Sequence, residues 1–282
     1  MKKTLLLFLL FTLLFSAVNG QERETITIMS FNIQTFGVAK MARPEVVEIL
    51  VDIVSKADII VVQEVRSRSP DPVEQFMALL PDNYSYVIGP REGRSSSKEQ
   101  HWLIYDANKI TVIAQDNWHD EDDIFERSPY AVYLKTNGNF DFILINNHVQ
   151  PRAADKEIRA LPSVAAYYMD LWDDPDVMIV GDFNADGQYF DSSLLDSIFL
   201  ESKYTIIFTD EDTTVAQSHN TYDRFIITLS AAEYFTGNFA VIRFDEWYDF
   251  SRLSIEPRHV SDHYPIWAEF WIENDRENQR RP

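Results

Sequence analysis

Residues 177–184 read Val-Met-Ile-Val-Gly-Asp-Phe-Asn, four apolar residues that run into a polar cluster. A short apolar run bounded by a turn residue is typical of a fully buried strand. Successive side chains of a strand point to opposite faces, so Asp182 and Asn184 are predicted to share one side while Phe183 enters the core. Gly181 would let the backbone approach a ligand closely. The stretch therefore predicts a buried strand that delivers a carboxylate and an amide to the rim of a sheet.

Four other polar clusters stand at the edge of apolar runs in the same way. They are Phe31-Asn32, Gln63-Glu64-Val65-Arg66, Asn146-Asn147-His148 and Ser261-Asp262-His263. Taken alone, Glu64 is more simply a surface glutamate at a strand end, and a lone histidine near a core is more often a hydrogen-bonded side chain. Together they predict one polar site at one rim of a sheet. Carboxylates and amides supply oxygen ligands for a hard divalent cation, and histidines exchange protons near neutral pH. The set therefore indicates metal-dependent hydrolysis of a phosphodiester.

The order of the apolar patterns predicts the architecture. A strand over residues 25–32, a helix ending near residue 54 and a strand over residues 59–62 form a strand–helix–strand unit, followed by a second helix that Pro81 closes. A β-rich stretch follows, with a hairpin across Asn137-Gly138 that pairs residues 130–135 with 140–147. A helix over residues 155–171 precedes the quoted strand, and strands over residues 224–229, 239–244 and 264–271 end the pattern. Strands in two groups with helices outside predict an α/β fold, a four-layer sandwich of two packed mixed β-sheets.

Length and composition indicate one globular domain. The 282 residues are 45% apolar and 13% aromatic, which is enough for a sizeable core. We predict a single catalytic domain over residues 21–272 and a polar tail over residues 273–282. The chain has no cysteine, which excludes thiol catalysis, zinc–thiolate sites and lipid attachment at cysteine.

Residues 1–20 have the pattern of a secretory signal peptide. Lys2 and Lys3 precede an apolar stretch over residues 5–15, and small residues lead to a predicted cleavage after Gly20. The alternative is an uncleaved membrane anchor, but the apolar segment has roughly fourteen residues where a span needs about twenty. The sequence thus predicts a secreted protein, or a periplasmic one in a Gram-negative bacterium.

The net charge of −20 becomes −22 if residues 1–20, with their two lysines and no acidic residue, are removed. Nucleic-acid binders usually display a basic face, so this charge alone argues against a polyanionic partner. Bound cations and a few arginines can reverse the charge locally. Arg66, Arg94 and Arg127 are the candidate phosphate-binding residues, because a guanidinium matches phosphate oxygens in a fork geometry.

The clusters, taken in order, resemble the deoxyribonuclease I-like family of the endonuclease/exonuclease/phosphatase superfamily. The resemblance runs from about residue 25 to residue 270. The matching segments are residues 31–37, 63–66, 98–99, 127–129, 181–185, 222–224 and 261–265. Several matches in the right order are far more specific than any one of them.

The resemblance implies a role for each matched residue. Glu99 would orient His148 and Asp223 would orient His263, and the two pairs would act as general acid and base. Asp182 and Asn184 would hold the scissile phosphate, a second metal or the attacking water. Arg66 would reach into the minor groove of DNA and Arg127 would contact a phosphate. The implied catalytic residues are Glu99, His148, Asp223, His263, Asp182 and Asn184.

The resemblance also implies a divalent cofactor, Mg²⁺ or Mn²⁺, with Glu64 as the main ligand and Asn32 and Asp262 beside it. For the acidic loops at residues 119–123 and 210–212, solvated surface charge is the default interpretation. Binding of a structural Ca²⁺ ion is the more specific alternative. The candidate calcium residues are Asp123, Asp212 and Thr214.

Some positions depart from the family pattern. Ser97 stands where the family has a tyrosine that packs against the sugar in the minor groove, and Ala216 replaces a threonine of a calcium-binding loop. The loop over residues 118–123 is also shorter than in the family. The catalytic groups are therefore all present, while the contacts to duplex DNA and to calcium differ.

We expect a secreted, monomeric, divalent-metal-dependent endonuclease that hydrolyses DNA with low sequence specificity. Two alternatives stay open at this point. One is a secreted phosphodiesterase of the same superfamily that acts on sphingomyelin or another phosphoester, which Ser97 and the negative charge favour. The other is a non-catalytic binding protein on this fold, although no catalytic group is missing.

Overall fold

The computed structural model describes residues 24–94, 96–138, 140–200 and 203–272. Within them, two six-stranded sheets pack face to face. The first has the strand order β11-β12-β1-β2-β4-β3, and the second has the order β5-β6-β7-β8-β10-β9. Helices cover the outer faces. The predicted α/β sandwich of two mixed sheets flanked by helices is confirmed.

The first sheet contains the two ends of the described chain. Its strands are β1 (Thr25–Phe36), β2 (Ile59–Val65), β3 (Tyr84–Ile88), β4 (Gln100–Asp106), β11 (Phe235–Val241) and β12 (Ile266–Trp271). The second sheet is built from the middle of the chain. Its strands are β5 (Ile110–Asn117), β6 (Tyr130–Thr136), β7 (Asp141–His148), β8 (Val177–Asp182), β9 (Tyr204–Ile207) and β10 (Asp223–Thr228).

The α-helices of the described ranges are mostly short. They are α1 (Val38–Met41), α2 (Pro44–Val54), α3 (Asp71–Met77), α4 (Ala154–Trp172), α5 (Leu229–Ala232), α6 (Phe250–Leu253) and α7 (Pro257–Val260). Short 3₁₀ turns and one π turn lie between them. These are Pro151–Ala153, Ser192–Leu194, Asp196–Leu200 and Phe244–Glu246.

Three apolar layers hold the four layers of backbone together. In β2, Ile59 and Val61 pack into the layer between the sheets, while Ile60 and Val62 pack under α2 and α3. In the second sheet, the outward side chains of β7 and β8 pack against α4. Because both faces of each central strand are covered, the strands are continuous apolar runs without polar alternation.

The parallel strand pairs explain why the polar clusters meet. β1 lies parallel to β2 with Asn32 opposite Gln63, and β7 lies parallel to β8 with His148 opposite Asp182. The carboxyl ends of parallel strands lie at one edge of a sheet, so the residues that follow the apolar runs gather there. β10 runs antiparallel to β8, and its first residue, Asp223, lies opposite Asp182 at the same rim.

Several predicted boundaries differ from the structure. β1 continues to Phe36 through a register irregularity between Asn32 and Phe36, because the backbone bends at the rim. The last strand before the C-terminal cluster is Phe235–Val241, so the predicted range 239–244 is placed too late; residues 244–246 form a 3₁₀ turn. α3 ends at Met77, before the predicted end at Pro81. β9 was not predicted, since four residues carry too little pattern.

The hairpin prediction is confirmed, because β6 and β7 pair antiparallel from Tyr130 opposite Asn146 to Lys135 opposite Asp141. The predicted signal peptide and the predicted polar tail lie outside the described residues. Among the described helices, none combines the length and the apolar character needed to cross a membrane.

Candidate active site

The first histidine–carboxylate pair joins the two sheets. His148 ends β7, and Glu99 lies in the short segment before β4. The Nδ1 atom of His148 donates to Oε2 of Glu99 over 2.9 Å, and both side chains are buried. With Nδ1 occupied in this way, Nε2 of His148 faces the rim. The structure therefore brings together the pair that the family resemblance implies.

Arg127 fixes Glu99 from the other side. Its Nη1 donates to Oε1 of Glu99 over 2.9 Å, and its Nε donates to the backbone carbonyl of His148 over 3.0 Å. Burial raises the pKa of the Glu99 carboxyl, but the cationic groups around it outweigh burial and lower the pKa to about 2. Glu99 is thus held as a carboxylate across the ordinary pH range.

The second pair forms at the edge of β10. Nδ1 of His263 donates to Oδ2 of Asp223 over 2.8 Å, with Asp223 fully buried. The backbone N–H of Asp223 donates to Oγ1 of Thr213, which fixes the start of the strand. Burial lowers the pKa of His263, but the carboxylates of Asp223 and Asp182 outweigh burial and hold the pKa well above its usual value.

Asp182 lies between the two imidazoles. Its Oδ2 is 3.5 Å from Nε2 of His148 and 3.6 Å from Nε2 of His263. The same oxygen accepts a hydrogen bond from Nδ2 of Asn32 over 3.0 Å, while Oδ1 accepts one from the backbone N–H of Asn184. Two oriented imidazoles thus face one buried carboxylate. This arrangement can give and take protons on two sides of one reacting centre.

Phe183 enters the core and Asp182 faces the rim, as the alternation predicts. Asn184 differs in its backbone, because it adopts a left-handed conformation with φ of 47°. Its Nδ2 donates to the carbonyl of Val149 over 3.0 Å, so the amide ties the loop after β8 to the loop after β7. Its Oδ1 remains directed away from that bond.

Glu64 is held at the mouth of the site by a strained backbone. Its φ is 64°, the left-handed region that a residue with a Cβ enters at a cost of about 1–2 kcal/mol. Oε2 of Glu64 accepts bonds from the backbone N–H of Thr35 over 2.9 Å and from its hydroxyl over 3.2 Å. Nδ2 of Asn32 donates to Oε1 over 3.3 Å. Strained residues of this kind cluster at functional sites.

Three of the grouped side chains offer ligand atoms that lie within 4.8 Å of one another: Asp182, Asp223 and His263. This group differs from the predicted metal ligands Asn32, Glu64 and Asp262. Asn32 connects the two sets, because its amide donates to both Glu64 and Asp182.

The predicted ligands fit a hard divalent cation by their chemistry. Glu64 offers a carboxylate, and Asn32 has an amide oxygen that accepts from the backbone N–H of Gln34 over 3.0 Å. Oδ1 of Asp262 is buried without a hydrogen-bond partner among the described residues. A buried acceptor without a donor is costly, and a cation would satisfy it. Metal binding by Asn32, Glu64 and Asp262 stays a prediction, which the unpartnered oxygen of Asp262 favours.

The three candidate phosphate-binding arginines lie in different surroundings. Nη2 of Arg66 is 3.1 Å from Glu64 and 3.6 Å from Glu99, so this side chain spans the two predicted carboxylates. Arg127 is buried beneath Glu99, and its Nη2 has no partner among the described residues. Arg94 binds Oδ1 of Asp123 over 2.8 Å on an exposed loop.

The candidate calcium residues lie in two loops. Asp123 is held by Arg94, which already supplies a positive charge to its carboxylate. Oδ1 of Asp212 accepts from the backbone N–H and the hydroxyl of Thr214, both over 3.1 Å. Thr214 forms a β-bridge with His263, so this loop adjoins the second histidine pair. Calcium at these residues stays a prediction.

Lys40 belongs to the site although the sequence pattern did not single it out. It is buried, and its Nζ donates to the carbonyls of Ile33 and Val260, each over 2.6 Å. It thereby ties the segment after Asn32 to the segment before Asp262. Burial lowers the pKa of Lys40 to about 8, while the nearby carboxylates oppose the shift. The signal for Lys40 in the sequence was a lysine within the short apolar segment that follows β1 and forms α1.

Glu157 also lies beneath the site and was missed. It is fully buried on α4, where its two oxygens accept bonds from the backbone N–H groups of Glu126 and Gln150 over 3.0 and 2.9 Å. Glu126 directly precedes Arg127 in the chain, and Gln150 lies two residues after His148. Glu157 therefore holds the loops that carry the first histidine pair. The signal for Glu157 in the sequence was a charged residue on the side of α4 whose other residues are apolar and buried.

A polar network fills the space between the sheets below the rim. Oδ1 of Asn146 accepts from Nε2 of Gln63 over 2.9 Å and lies 3.1 Å from Nδ1 of His101. Nδ2 of Asn146 donates to the carbonyl of Val62 over 3.0 Å, which fixes the amide orientation. Burial lowers the pKa of His101 to about 3, so this imidazole is neutral. The network ties β2, β4 and β7 beneath the catalytic groups.

Comparison with known proteins gives a consistent result. A family model described as "Endonuclease/Exonuclease/phosphatase family" matches residues 29–263. The chain is 32% identical to deoxyribonuclease-1-like 1 of Homo sapiens over 257 residues, which is 87% of this chain and 84% of that protein. It is 32% identical to deoxyribonuclease-1 of Rattus norvegicus over 265 residues, with 87% and 92% of the two chains covered.

Solved structures share the fold at lower identity. An endonuclease/exonuclease/phosphatase family protein from Bacteroides thetaiotaomicron superposes with a TM-score of 0.62 at 16% identity, covering 88% of this chain and 95% of that one. A mannosyl-6-phosphatase from the same species gives a TM-score of 0.63 at 15% identity, covering 87% and 99%. The matched family model and the relatives at 32% identity agree with the paired histidines of the site. The chain therefore belongs to the endonuclease/exonuclease/phosphatase family, as a deoxyribonuclease I-like member.

Proposed function

We propose that the protein is a divalent-metal-dependent endonuclease that hydrolyses the phosphodiester bonds of DNA with low sequence specificity. In this proposal, residues 1–20 are a cleaved signal peptide, residues 21–272 form one catalytic domain and residues 273–282 are a polar tail. The protein acts outside the cytoplasm, secreted or periplasmic, as a monomer. The names of the curated relatives and the paired histidines support the substrate class and the reaction.

One observation carries the proposal: Oδ2 of Asp182 lies 3.5 and 3.6 Å from the Nε2 atoms of two imidazoles that are each fixed by a carboxylate. A binding protein would have no need for two buried histidines oriented toward one point. Hydrolysis of a phosphodiester does, because one group must take a proton from water and another must donate one to the departing alkoxide.

Each residue of the site has its own role in the proposed reaction. Glu99 and Asp223 hold the Nδ1 atoms, so each histidine exchanges a proton only at Nε2. One histidine removes the proton of the attacking water, and the other protonates the 3′ oxygen as its bond to phosphorus breaks, which leaves a 5′-phosphate. Asp182 and Asn184 orient the water and the phosphate. A Mg²⁺ or Mn²⁺ ion held by Asn32, Glu64 and Asp262 would supply positive charge for the phosphoryl oxygens.

Low sequence specificity follows from the kind of contact that the site offers. Its groups are carboxylates, imidazoles and an arginine, Arg66, which can reach backbone phosphates and sugars. Such contacts position a nucleic acid without reading its bases.

The decisive experiment is nicking of supercoiled plasmid by the protein from residue 21 onward, with Mg²⁺, with Mn²⁺, with Mg²⁺ plus Ca²⁺, and with chelator. We expect nicking with Mg²⁺ or Mn²⁺ and none with chelator. His148→Ala should lower the rate by at least about 10³-fold, since it removes one of the two proton-transfer groups. A folded wild-type protein that leaves the plasmid intact with every metal would contradict the proposal.

His119→Ala is the matched control, because His119 lies on an exposed loop and its side chain is 89% accessible. Its rate should equal that of the wild type. A loss at His119 as large as that at His148 would indicate a general effect of losing a histidine and would remove the assigned role of His148.

A phosphodiesterase acting on another phosphoester is the second candidate, favoured by Ser97, which lacks the ring that the family uses in the minor groove, and by the net charge of −20. Release of phosphocholine from sphingomyelin vesicles, with no plasmid nicking by the same preparation, would decide for it.

A further inference from the structure

An open groove is formed by the loops that follow β7 and β8, the strands that end at His148 and Asp182. It has a volume of about 830 Å³, and its lining residues are Gln150, Pro151, Arg152, Gln188 and Tyr189. Gln150 and Arg152 lie two and four residues after His148, the last residue of β7, and Gln188 and Tyr189 lie six and seven residues after Asp182, the last residue of β8. Each wall therefore continues a strand that carries a catalytic side chain. The volume lies within the range of about 300–1,000 Å³ that small ligands occupy.

Two sets of contacts connect the residues of this groove with the active site. The amide of Asn184 donates to the carbonyl of Val149, which ties the two walls together at their base. The Tyr189 ring lies 5.5 Å from that of Tyr222, and the Tyr222 ring lies 6.2 Å from that of His263. A chain of rings thus leads from the groove to the second histidine.

The lining chemistry matches a nucleotide. Tyr189 offers an aromatic face, and Gln150 and Gln188 offer amides that can both donate to and accept from a base edge. Arg152 is exposed and makes no hydrogen bond or ion pair with any residue of the described ranges. A free guanidinium is notable in a chain with 45 acidic and 25 basic residues, because it is available to a phosphate.

Duplex recognition has weaker support at this site. Arg66, the arginine expected in the minor groove, is 3.1 Å from Glu64 and 3.6 Å from Glu99. Position 97 is a serine, which has no ring to pack against a sugar. An aromatic ring can stack on the face of a base only where that base is unstacked from its neighbours, as in a single strand or a frayed end.

We propose that the groove lined by Gln150, Arg152, Gln188 and Tyr189 is a subsite for one unpaired nucleotide next to the scissile phosphate, so that the enzyme prefers single-stranded DNA or frayed ends to intact duplex. The inference rests on the proposed nuclease function and names its substrate class. Tyr189 stacks on the base, the glutamines contact its edge, and Arg152 contacts the neighbouring phosphate.

The test measures binding without turnover. The His148→Ala protein is titrated, with Mg²⁺ present, into a fluorescein-labelled ten-nucleotide single strand and into the same strand in a blunt duplex, and anisotropy is recorded. We expect the single strand to bind at least about fivefold more tightly than the duplex. Adding Tyr189→Ala or Arg152→Ala should weaken single-strand binding about tenfold, with a smaller loss for the duplex.

Arg159→Ala is the matched control, because Arg159 is also an exposed arginine near the start of α4 but is paired with Asp155 over 2.9 Å. It should not change binding. Single-strand binding that is unaltered by Tyr189→Ala and Arg152→Ala, equal losses on both substrates, or tighter binding of the duplex would each overturn the proposal. Thermal unfolding of each variant confirms that it is folded.

Different results would contradict the proposed nuclease function and the proposed nucleotide subsite. Plasmid nicking by the wild-type protein together with unaffected binding in the Tyr189 and Arg152 variants would remove the subsite and leave the nuclease. Groove-dependent binding of the single strand without any hydrolysis by the wild-type protein would remove the nuclease and leave a nucleotide-binding groove.

Discussion

At the scale of single residues, the first histidine pair depends on one carboxylate, that of Glu99, which neighbouring cationic groups keep ionised. Glu99 accepts from His148 and Arg127 over 2.9 Å each, and Arg66 lies 3.6 Å away. Nothing in the segment Lys98-Glu99 by itself distinguishes this glutamate from a surface one. The family resemblance singled it out, and the structure shows the contacts that make it an orienting group.

Replacing Glu99 by glutamine should make the stability difference from the wild type depend on pH. The folded pKa of about 2 lies below the ordinary 4.5, so the unfolded chain binds more protons in this range and the stabilisation is lost as pH falls. It is complete above pH 4.5 and amounts to about 3 kcal/mol, of which about 2 kcal/mol is lost by pH 3. Urea unfolding of both proteins at pH 7, 5, 4 and 3 measures the difference.

Glu121→Gln is the control for this titration, because the Glu121 side chain is 81% exposed. Its unfolding free energy should follow that of the wild type at each pH. A Glu99→Gln difference that stays constant from pH 7 to pH 3 would show that the contacts of Glu99 do not depend on its charge.

At the scale of elements, the parallel pairs β1/β2 and β7/β8 decide where the chemistry lies. Each pair brings two polar strand ends to the same rim, and close approach of β7 and β8 places Asp182 beside His148. Gly181 makes that approach feasible. It has φ of 146°, and a Cβ at this position would lie 2.0 Å from the backbone oxygen of Asn147.

Gly181→Ala should therefore push β7 and β8 apart. We expect a loss of roughly 3 kcal/mol in the free energy of unfolding, from the left-handed backbone and the clash together, and a fall in nicking rate of at least about tenfold. The clash is with backbone, so no side-chain rotation relieves it. Urea unfolding and plasmid nicking on the same preparation measure both effects.

Gly237→Ala separates the cost of the left-handed backbone from the cost of the backbone clash. Gly237 also has positive φ, at 91°, but a Cβ there meets no atom within 4 Å, and the residue lies on β11 at the sheet edge. This variant should lose only the backbone part, about 1 kcal/mol, and retain full nicking activity. Equal losses in the two variants would mean that the approach of β7 to β8 is not what Gly181 protects.

At the scale of the whole molecule, charge sets how the protein meets a polyanion. The chain carries a net charge of −20, yet its site has Arg66, Arg127 and Lys40 near the carboxylates. All three already have partners, so few cations are free to displace counterions from DNA. Long-range repulsion by the rest of the surface opposes encounter at low salt.

The rate of nicking should therefore depend weakly on salt. A protein that makes 6–10 phosphate contacts loses about 10³–10⁵ in affinity between 50 and 200 mM salt. For this chain we expect less than about a tenfold fall in kcat/KM over that range at constant Mg²⁺. Hydrolysis of a small chromogenic phosphodiester at the same salt concentrations reports any direct effect on the chemistry. A fall of 10³-fold on DNA alone would contradict this expectation and indicate an extended basic surface.

The architecture and the clusters were predictable for the same reason. Buried strands are continuous apolar runs, and a polar residue directly after such a run must lie at a rim, so Glu64, His148, Asp182 and the residues of the hairpin could be placed from local pattern alone. β9 and the true range of β11 could not, because a four-residue strand and a half-exposed edge strand leave little periodic signal.

The two-sheet sandwich, the polar clusters at the strand ends and, through their order, the family could all be inferred from the amino-acid sequence. The folded arrangement was needed to find that Asp182 faces both histidines, that Lys40 and Glu157 support the loops from beneath, and that Arg66 lies against the predicted carboxylates. Strand identity depends on near neighbours in the chain. The contact of Asp182 with His263 joins the two sheets, and most of the others join segments that are distant in the chain, so their geometry follows from tertiary packing.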